Sequence, residues 1–234
     1  MVGAREILLS KINSAKEALK HVKDGHIIGV GAGTTTQEFI RLLAEKVKRE
    51  KLRITAVPAS LQTRLLLQKY GIPISDPNTH PHVDIAVDGA DQVENKTWIL
   101  VKGGGGCHTL EKIIDYNAKK LIIIVDYTKL TQKLNKPIPV EAIPHAITIV
   151  KAWLIRLGAK KIELRISRTK YGPTITENGN IILDAYFPKI TDPIKLEEEI
   201  NNIPGVLENG LFARRKPDIL IVGYPDKARE IKCK

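Results

Sequence analysis

Cysteine is scarce: the 234-residue chain holds only Cys107 and Cys233, so no disulfide framework is implied and a reducing cytoplasm is the expected compartment. Long apolar runs are missing too. The longest that reads as a strand is Leu121–Val125, far short of the roughly 20 residues that span a bilayer. The first residues, Met-Val-Gly-Ala-Arg-Glu, lack the apolar stretch of a signal peptide, and no membrane partner is expected. Aromatics make up 5% of the chain, too few for a platform on which bases stack. A net charge of +11 raises the question of nucleic acid, but the basic residues are spread along the whole sequence. No nucleic-acid partner is therefore expected, and the charge suits a small anionic substrate or a solvated basic surface. The 43% hydrophobic and 27% charged content is ordinary for a globular protein.

The remaining pattern is an alternation of strands and helices. Leu8, Ile12, Ala15, Leu19 and Val22 mark an amphipathic first helix. Ile27–Val30 reads as a buried strand, followed by the loop Gly31-Ala32-Gly33-Thr34-Thr35. A second helix is expected to open on a capping box formed by Thr35 and Glu38. Strands near Arg53–Val57, Asp84–Val87, Trp98–Val101 and Leu121–Val125 follow, with helices over Ser60–Tyr70 and Leu110–Ala118. Strands apolar on both faces, alternating with helices, predict a parallel sheet covered on both sides. The loops after those strands then share one edge, at the carboxyl ends. From Asn135 the order changes to β-α-β-β-α-β, the split arrangement of a ferredoxin-like unit. Asp218–Val222 reads as one more buried strand that rejoins the first sheet.

Chemistry concentrates in two motifs, Asp88-Gly89-Ala90-Asp91 and Lys102-Gly103-Gly104-Gly105-Gly106, with Glu111 just beyond. Four consecutive glycines cost folding entropy at each position and suit a place where backbone approaches a ligand closely. A strand, a glycine loop and a helix start also present unpaired N–H groups to an anion. The Gly31–Thr35 loop can cradle a phosphate in the same way, or serve as a plain tight turn. Asp88 and Asp91 can converge on sugar hydroxyls, or simply make an Asp-Gly turn. Glu111 is either a first-turn acid that complements the helix dipole or a general base; a helix N-terminus lowers a carboxylate's pKa, so a base needs opposing desolvation. Lys129 follows the Leu121–Asp126 segment at the loop edge. Cys107 and His108 are sequence neighbours on a helix and do not face each other, which argues against a thiol nucleophile. His80-Pro81-His82 reads as a loop of solvated imidazoles, and no metal site is expected.

Taken together these stretches resemble type A ribose-5-phosphate isomerases. The matching segments are Gly29–Thr36, Asp88–Asp91, Leu100–Gly106 with Glu111, Ile123–Lys129, Pro137–Pro144 and Ile203–Arg215, in that order. The resemblance implies an α/β fold: a Rossmann-like parallel-sheet domain over 1–134 and 212–234, with a smaller inserted α+β domain over 135–211. It implies an aldose–ketose isomerase that interconverts ribose 5-phosphate and ribulose 5-phosphate through a cis-enediolate, a step of the pentose phosphate pathway, with no cofactor. Glu111 would be the proton-transferring base, with Asp88, Asp91 and Lys102 in the same site. Ala32, Gly33, Thr34, Thr35, Gly89, Ala90, Gly103, Gly104, Gly105 and Lys129 would contact the sugar phosphate. Ala32 stands where many members carry threonine, and Leu110 replaces an arginine common before the glutamate. A homodimer or homotetramer is the expected assembly. The alternatives are another sugar-phosphate isomerase, a CoA-transferase-like enzyme with a glutamate nucleophile, and a non-enzymatic sugar-phosphate sensor.

Overall fold

The computed structural model describes residues 3–233. In chain order its elements are α1 (Ala4–Ala18), β1 (Ile27–Val30), α2 (Thr34–Glu50), β2 (Thr55–Pro58), α3 (Leu61–Lys69), β3 (Ile85–Asp88), β4 (Gln92–Glu94), β5 (Leu100–Val101) and α4 (His108–Tyr116). There follow β6 (Leu121–Asp126), β7 (Leu130–Thr131), β8 (Ile138–Ala142), α5 (Ile147–Arg156), β9 (Lys161–Leu164), β10 (Ile181–Tyr186), α6 (Pro193–Asn201), β11 (Val206–Asn209), β12 (Leu211–Phe212), β13 (Ile219–Gly223) and β14 (Ala228–Lys232). Contacts divide the chain into two compact units, residues 1–90, 110–130 and 215–234, and residues 91–109 and 131–214.

The first unit is a six-stranded sheet in the order β14-β13-β6-β3-β1-β2, parallel apart from the antiparallel edge strand β14. Every residue of β3, β6 and β13 is buried, which is why these segments read as uninterrupted apolar runs rather than alternating ones. Its core joins Ile28, Val30, Val87, Ile122, Ile124 and Ile221 to Phe39 and Leu43 of α2. The expected apolar face of the first helix holds for Ile12, Ala15, Leu19 and Val22, which are in or against the core, but Leu8 is exposed and the fully buried positions within α1 are Ser10, Ser14, Ala15 and Ala18. Small residues win because α1 lies close on β13, where a β-carbon on Gly223 would overlap the Ser10 carbonyl. Each serine hydroxyl is satisfied within the helix, on Glu6 O at 2.7 Å and Lys11 O at 2.9 Å. The Thr35–Glu38 capping box is also corrected. The N-cap is Gly33, at φ 110°, and Thr35 already lies inside α2.

The second unit contains an antiparallel sheet in the order β11-β8-β10-β9, with α5 between β8 and β9 and α6 between β10 and β11. This is the β-α-β-β-α-β arrangement expected from the sequence. Its core is separate, built from Val140, Ala142, Val150, Leu154, Leu183, Ile200 and Leu211 among others. One expectation fails here. The apolar segment Trp98–Val101 does not join the parallel sheet; only Leu100–Val101 is strand, paired antiparallel with β4 and β12 in a small sheet. Trp98 takes a positive φ of 60°, which keeps it out of the strand.

Candidate active site

In the first unit the sheet order puts β1 between β2 and β3, so connections leave β1 in both directions. Such a switch point opens a crevice at the carboxyl ends of the two strands. Both expected loops lie there. Gly31 N donates to Val87 O at 3.0 Å, and Gly31 O accepts from the Thr63 hydroxyl at 2.9 Å, so the loop is pinned on both sides. Asp88, at the end of β3, is fully buried and accepts from Gly89 N at 2.6 Å. A β-carbon on Gly31 would overlap that carboxylate, so the glycine is what lets Asp88 occupy the crevice. Beyond it, Ala32 is half-buried and Thr34 is exposed at the first turn of α2, where Lys11 Nζ donates to its hydroxyl at 2.8 Å. Thr36 donates to Gly33 O at 2.7 Å and closes the turn.

The same edge carries the end of β6. Asp126 is buried and caps the 3-10 turn Tyr127–Lys129 by accepting from Thr128 N at 3.0 Å, which leaves Lys129 half-buried at the strand's carboxyl end. The Tyr127 ring stacks on Tyr224 with centroids 5.7 Å apart. Glu111 lies in α4 and is 5% exposed. Three residues on, Ile114 packs so tightly over Gly29 of β1 that no side chain fits at position 29. Residues three apart share a helix face, so Glu111 belongs to the buried face of α4 and not to its solvent side.

In the second unit the glycine motif and the second aspartate meet. Lys102 is 2% exposed; its N–H donates to Gly210 O at 2.8 Å and its ammonium lies 5.4 Å from the Phe212 ring centroid. Asp91 N donates to Val101 O at 2.9 Å, which holds Asp91 beside the start of the motif. Gly103–Gly106 forms a turn closed by Gly106 N donating to Gly103 O at 3.0 Å. Gly104 N donates to Asp91 Oδ2 at 2.6 Å.

Two acidic residues of this unit escaped the sequence reading. Asp184 grips Arg165, whose remaining nitrogen reaches the glycine turn. Glu141, fully buried on β8, accepts from Thr109 at the start of α4, from Thr176 at 2.7 Å, from Asn180 at 3.0 Å and from Asn178 at 3.1 Å. Burial pushes the Glu141 carboxyl up, yet those hydrogen bonds from Thr109, Thr176, Asn180 and Asn178 outweigh it and hold the group below its ordinary value. For Arg165 the available signal was the alternation Lys161-Glu163-Arg165 along one segment, which reads equally well as a solvated charge row; Asp184 and Glu141 each stand alone among apolar neighbours, with no pattern to mark them.

The histidine loop stays apart from this chemistry: His80 Nδ1 lies 2.6 Å from the Ser75 hydroxyl. Among the described residues no group of three or more His, Cys, Asp or Glu is arranged to hold a metal ion.

Comparison with known proteins gives a consistent picture. The family model described as ribose 5-phosphate isomerase A (phosphoriboisomerase A) matches residues 55–227. Ribose-5-phosphate isomerase A of Methanococcus aeolicus is 46% identical over 224 residues, 95% of this chain and 94% of that protein. The solved structure of ribose 5-phosphate isomerase A from Methanocaldococcus jannaschii superposes with a TM-score of 0.91 at 46% identity, covering 95% of this chain and 97% of that one. A D-ribose-5-phosphate isomerase solved in complex with phospho-erythronic acid gives a TM-score of 0.91 at 45% identity, covering 96% and 97%.

Proposed function

Because the chain belongs to the ribose 5-phosphate isomerase A family, we propose that its buried carboxylates, ammonium and glycine turn carry out proton transfer on an open-chain sugar phosphate. The overall reaction is the interconversion of ribose 5-phosphate and ribulose 5-phosphate. Glu111 takes the proton from C2; the C–H electrons form a C1–C2 double bond, and the carbonyl electrons move onto O1. The resulting cis-enediolate passes its O2 proton to O1. Glu111 returns the abstracted proton to C1, leaving a ketone at C2. One carboxylate suffices because both carbons are reached from one face.

The burial of Glu111 is the observation that carries this assignment. A base must lie within reach of the proton it takes, and Glu111, 5% exposed, sits on the buried face of α4 and not on its solvent side. Negative charge develops on O1, and fixed donors stabilise it most where no reorganisation is needed. Lys102 and the N–H groups of Gly103 and Gly105 are assigned that role, while Gly104 lines the site and its N–H holds Asp91. Asp88 and Asp91 hold hydroxyls and move their protons during ring opening, with Gly89 and Ala90 lining the sugar. Ala32, Gly33, Thr34, Thr35 and Lys129 hold the anionic end, at the carboxyl edge of a sheet where phosphates commonly bind. The related D-ribose-5-phosphate isomerase was solved in complex with phospho-erythronic acid, a phosphorylated sugar acid, which supports an anionic sugar-derived ligand for this site.

We assign the chain to the cytoplasm and to a homodimer or homotetramer. Ile149 and Trp153 stand exposed one turn apart on α5, an apolar pair suited to burial against a second copy. Among the described residues no helix is long and apolar enough to cross a membrane.

The test is turnover of ribose 5-phosphate by the purified chain in the presence of a chelator, with ketose formation followed directly. Ribulose 5-phosphate should form at an undiminished rate, and solvent deuterium should enter the product. Activity that vanishes with chelator and returns with a divalent ion would replace proton transfer by a metal-assisted hydride shift.

A further inference from the structure

The glycine turn is held from behind. Arg165 Nη1 donates to Gly103 O at 2.8 Å and to Gly104 O at 3.2 Å. In a trans peptide the C=O and N–H of one plane point in opposite directions. Holding the Gly103 carbonyl on Arg165 therefore aims the Gly104 N–H away from it, and that N–H ends on Asp91 Oδ2 at 2.6 Å. Holding the Gly104 carbonyl aims the Gly105 N–H likewise, and this donor makes no hydrogen bond to any described residue.

Arg165 is itself fixed. Asp184 of β10 accepts from Nε at 2.9 Å and from Nη2 at 2.5 Å, a two-pronged grip that consumes the other edge of the guanidinium. The side chains are 18% and 15% exposed. The Arg165 backbone is also set in the sheet: its N–H donates to Ile182 O at 2.9 Å and its carbonyl accepts from Thr174 N at 2.8 Å. The whole relay, from Asp184 through Arg165 and the turn to Asp91, lies within the second unit.

We propose that Arg165, locked by Asp184, is a positioning residue for the isomerisation: it presets the Gly103–Gly106 turn so that the Gly105 N–H is aimed at the developing oxyanion and Asp91 is held in place through Gly104. The proposal rests on the assignment of this turn as the oxyanion site. A planar fork is required for the task. Lysine presents one compact ammonium and cannot bind both carboxylate oxygens of Asp184 while spanning two carbonyls.

The experiment measures kcat, KM and thermal stability for Arg165→Ala, Arg165→Lys, Asp184→Asn and Glu111→Gln side by side. A donor aimed at transition-state charge affects kcat far more than KM. Arg165→Ala should therefore lose about 10²-fold in kcat, the scale of one lost oxyanion donor, with KM changed less than about threefold and partial recovery in millimolar guanidinium. Arg165→Lys should remain about tenfold down or more, and it answers the same question if the alanine variant fails to fold. Asp184→Asn should fall between these and wild type. A folded Arg165→Lys or Arg165→Ala protein with kcat within about twofold of wild type, alongside an inactive Glu111→Gln, would overturn the proposal while leaving the site assignment standing. Normal turnover by Glu111→Gln would overturn the assignment and this proposal with it.

Discussion

The backbone N–H of Gly104 lies 2.6 Å from Asp91 Oδ2, and a β-carbon built on Gly104 would sit 2.6 Å from Oδ1 of the same carboxylate. The carboxylate thus rests against bare backbone, and the missing side chain is what allows it. Gly104→Ala should displace Asp91 without disturbing either core, since position 104 is exposed. Small misplacements of catalytic groups cost up to about 10²-fold; a fall in kcat of at least about tenfold with an unchanged melting temperature is expected, read by steady-state kinetics beside calorimetry.

Gly31 and Asp88 stand in the same relation in the first unit, but there the contact is buried. Gly31→Ala should cost stability as well as activity, about 1–3 kcal/mol, the usual penalty for overpacking. Urea denaturation checks this: a variant with a wild-type midpoint would show that Asp88 moves aside freely.

Glu141 gives the fold a pH dependence of definite sign. Its folded pKa is depressed by four hydrogen bonds that overcome burial, whereas in the unfolded chain it titrates near about 4.3. The stabilisation is therefore fully present above that value and is lost as pH falls through the lower folded value. Glu141→Gln should lower stability at pH 7 by about 1–3 kcal/mol, because donors built around a carboxylate lose their charged acceptor. The gap between variant and wild type should narrow in denaturation curves taken below about pH 4. A gap that widened on acidification would mean the carboxyl is protonated in the native state.

The sheet of the first unit was legible because its inner strands are buried on both faces: Ile27–Val30 and Leu121–Val125 are apolar throughout and alternate with helices, the pattern of a covered parallel sheet. The inserted β-α-β-β-α-β order showed for a similar reason, since its helices and turns are locally marked. What failed to show was pairing between distant short pieces. Leu100–Val101 is apolar like a core strand, but its partners are Gln92–Val93 and Leu211–Phe212, too short to carry a period of their own. Asp88, Asp91, Lys102 and Glu111 stood out because their motifs combine glycine with charge. Arg165 and Asp184 did not, because a charged residue on a strand reads as solvated until the strand is placed behind the glycine turn.

The central claim is that Glu111 moves the proton, and the most direct measurement is the turnover of ribose 5-phosphate by Glu111→Gln. The amide keeps the size and hydrogen-bonding reach of the side chain but cannot accept the proton, so kcat should fall by at least about 10²-fold while ribose 5-phosphate still binds and the melting temperature holds. Turnover within about twofold of wild type, with deuterium still entering the product from solvent, would contradict the account.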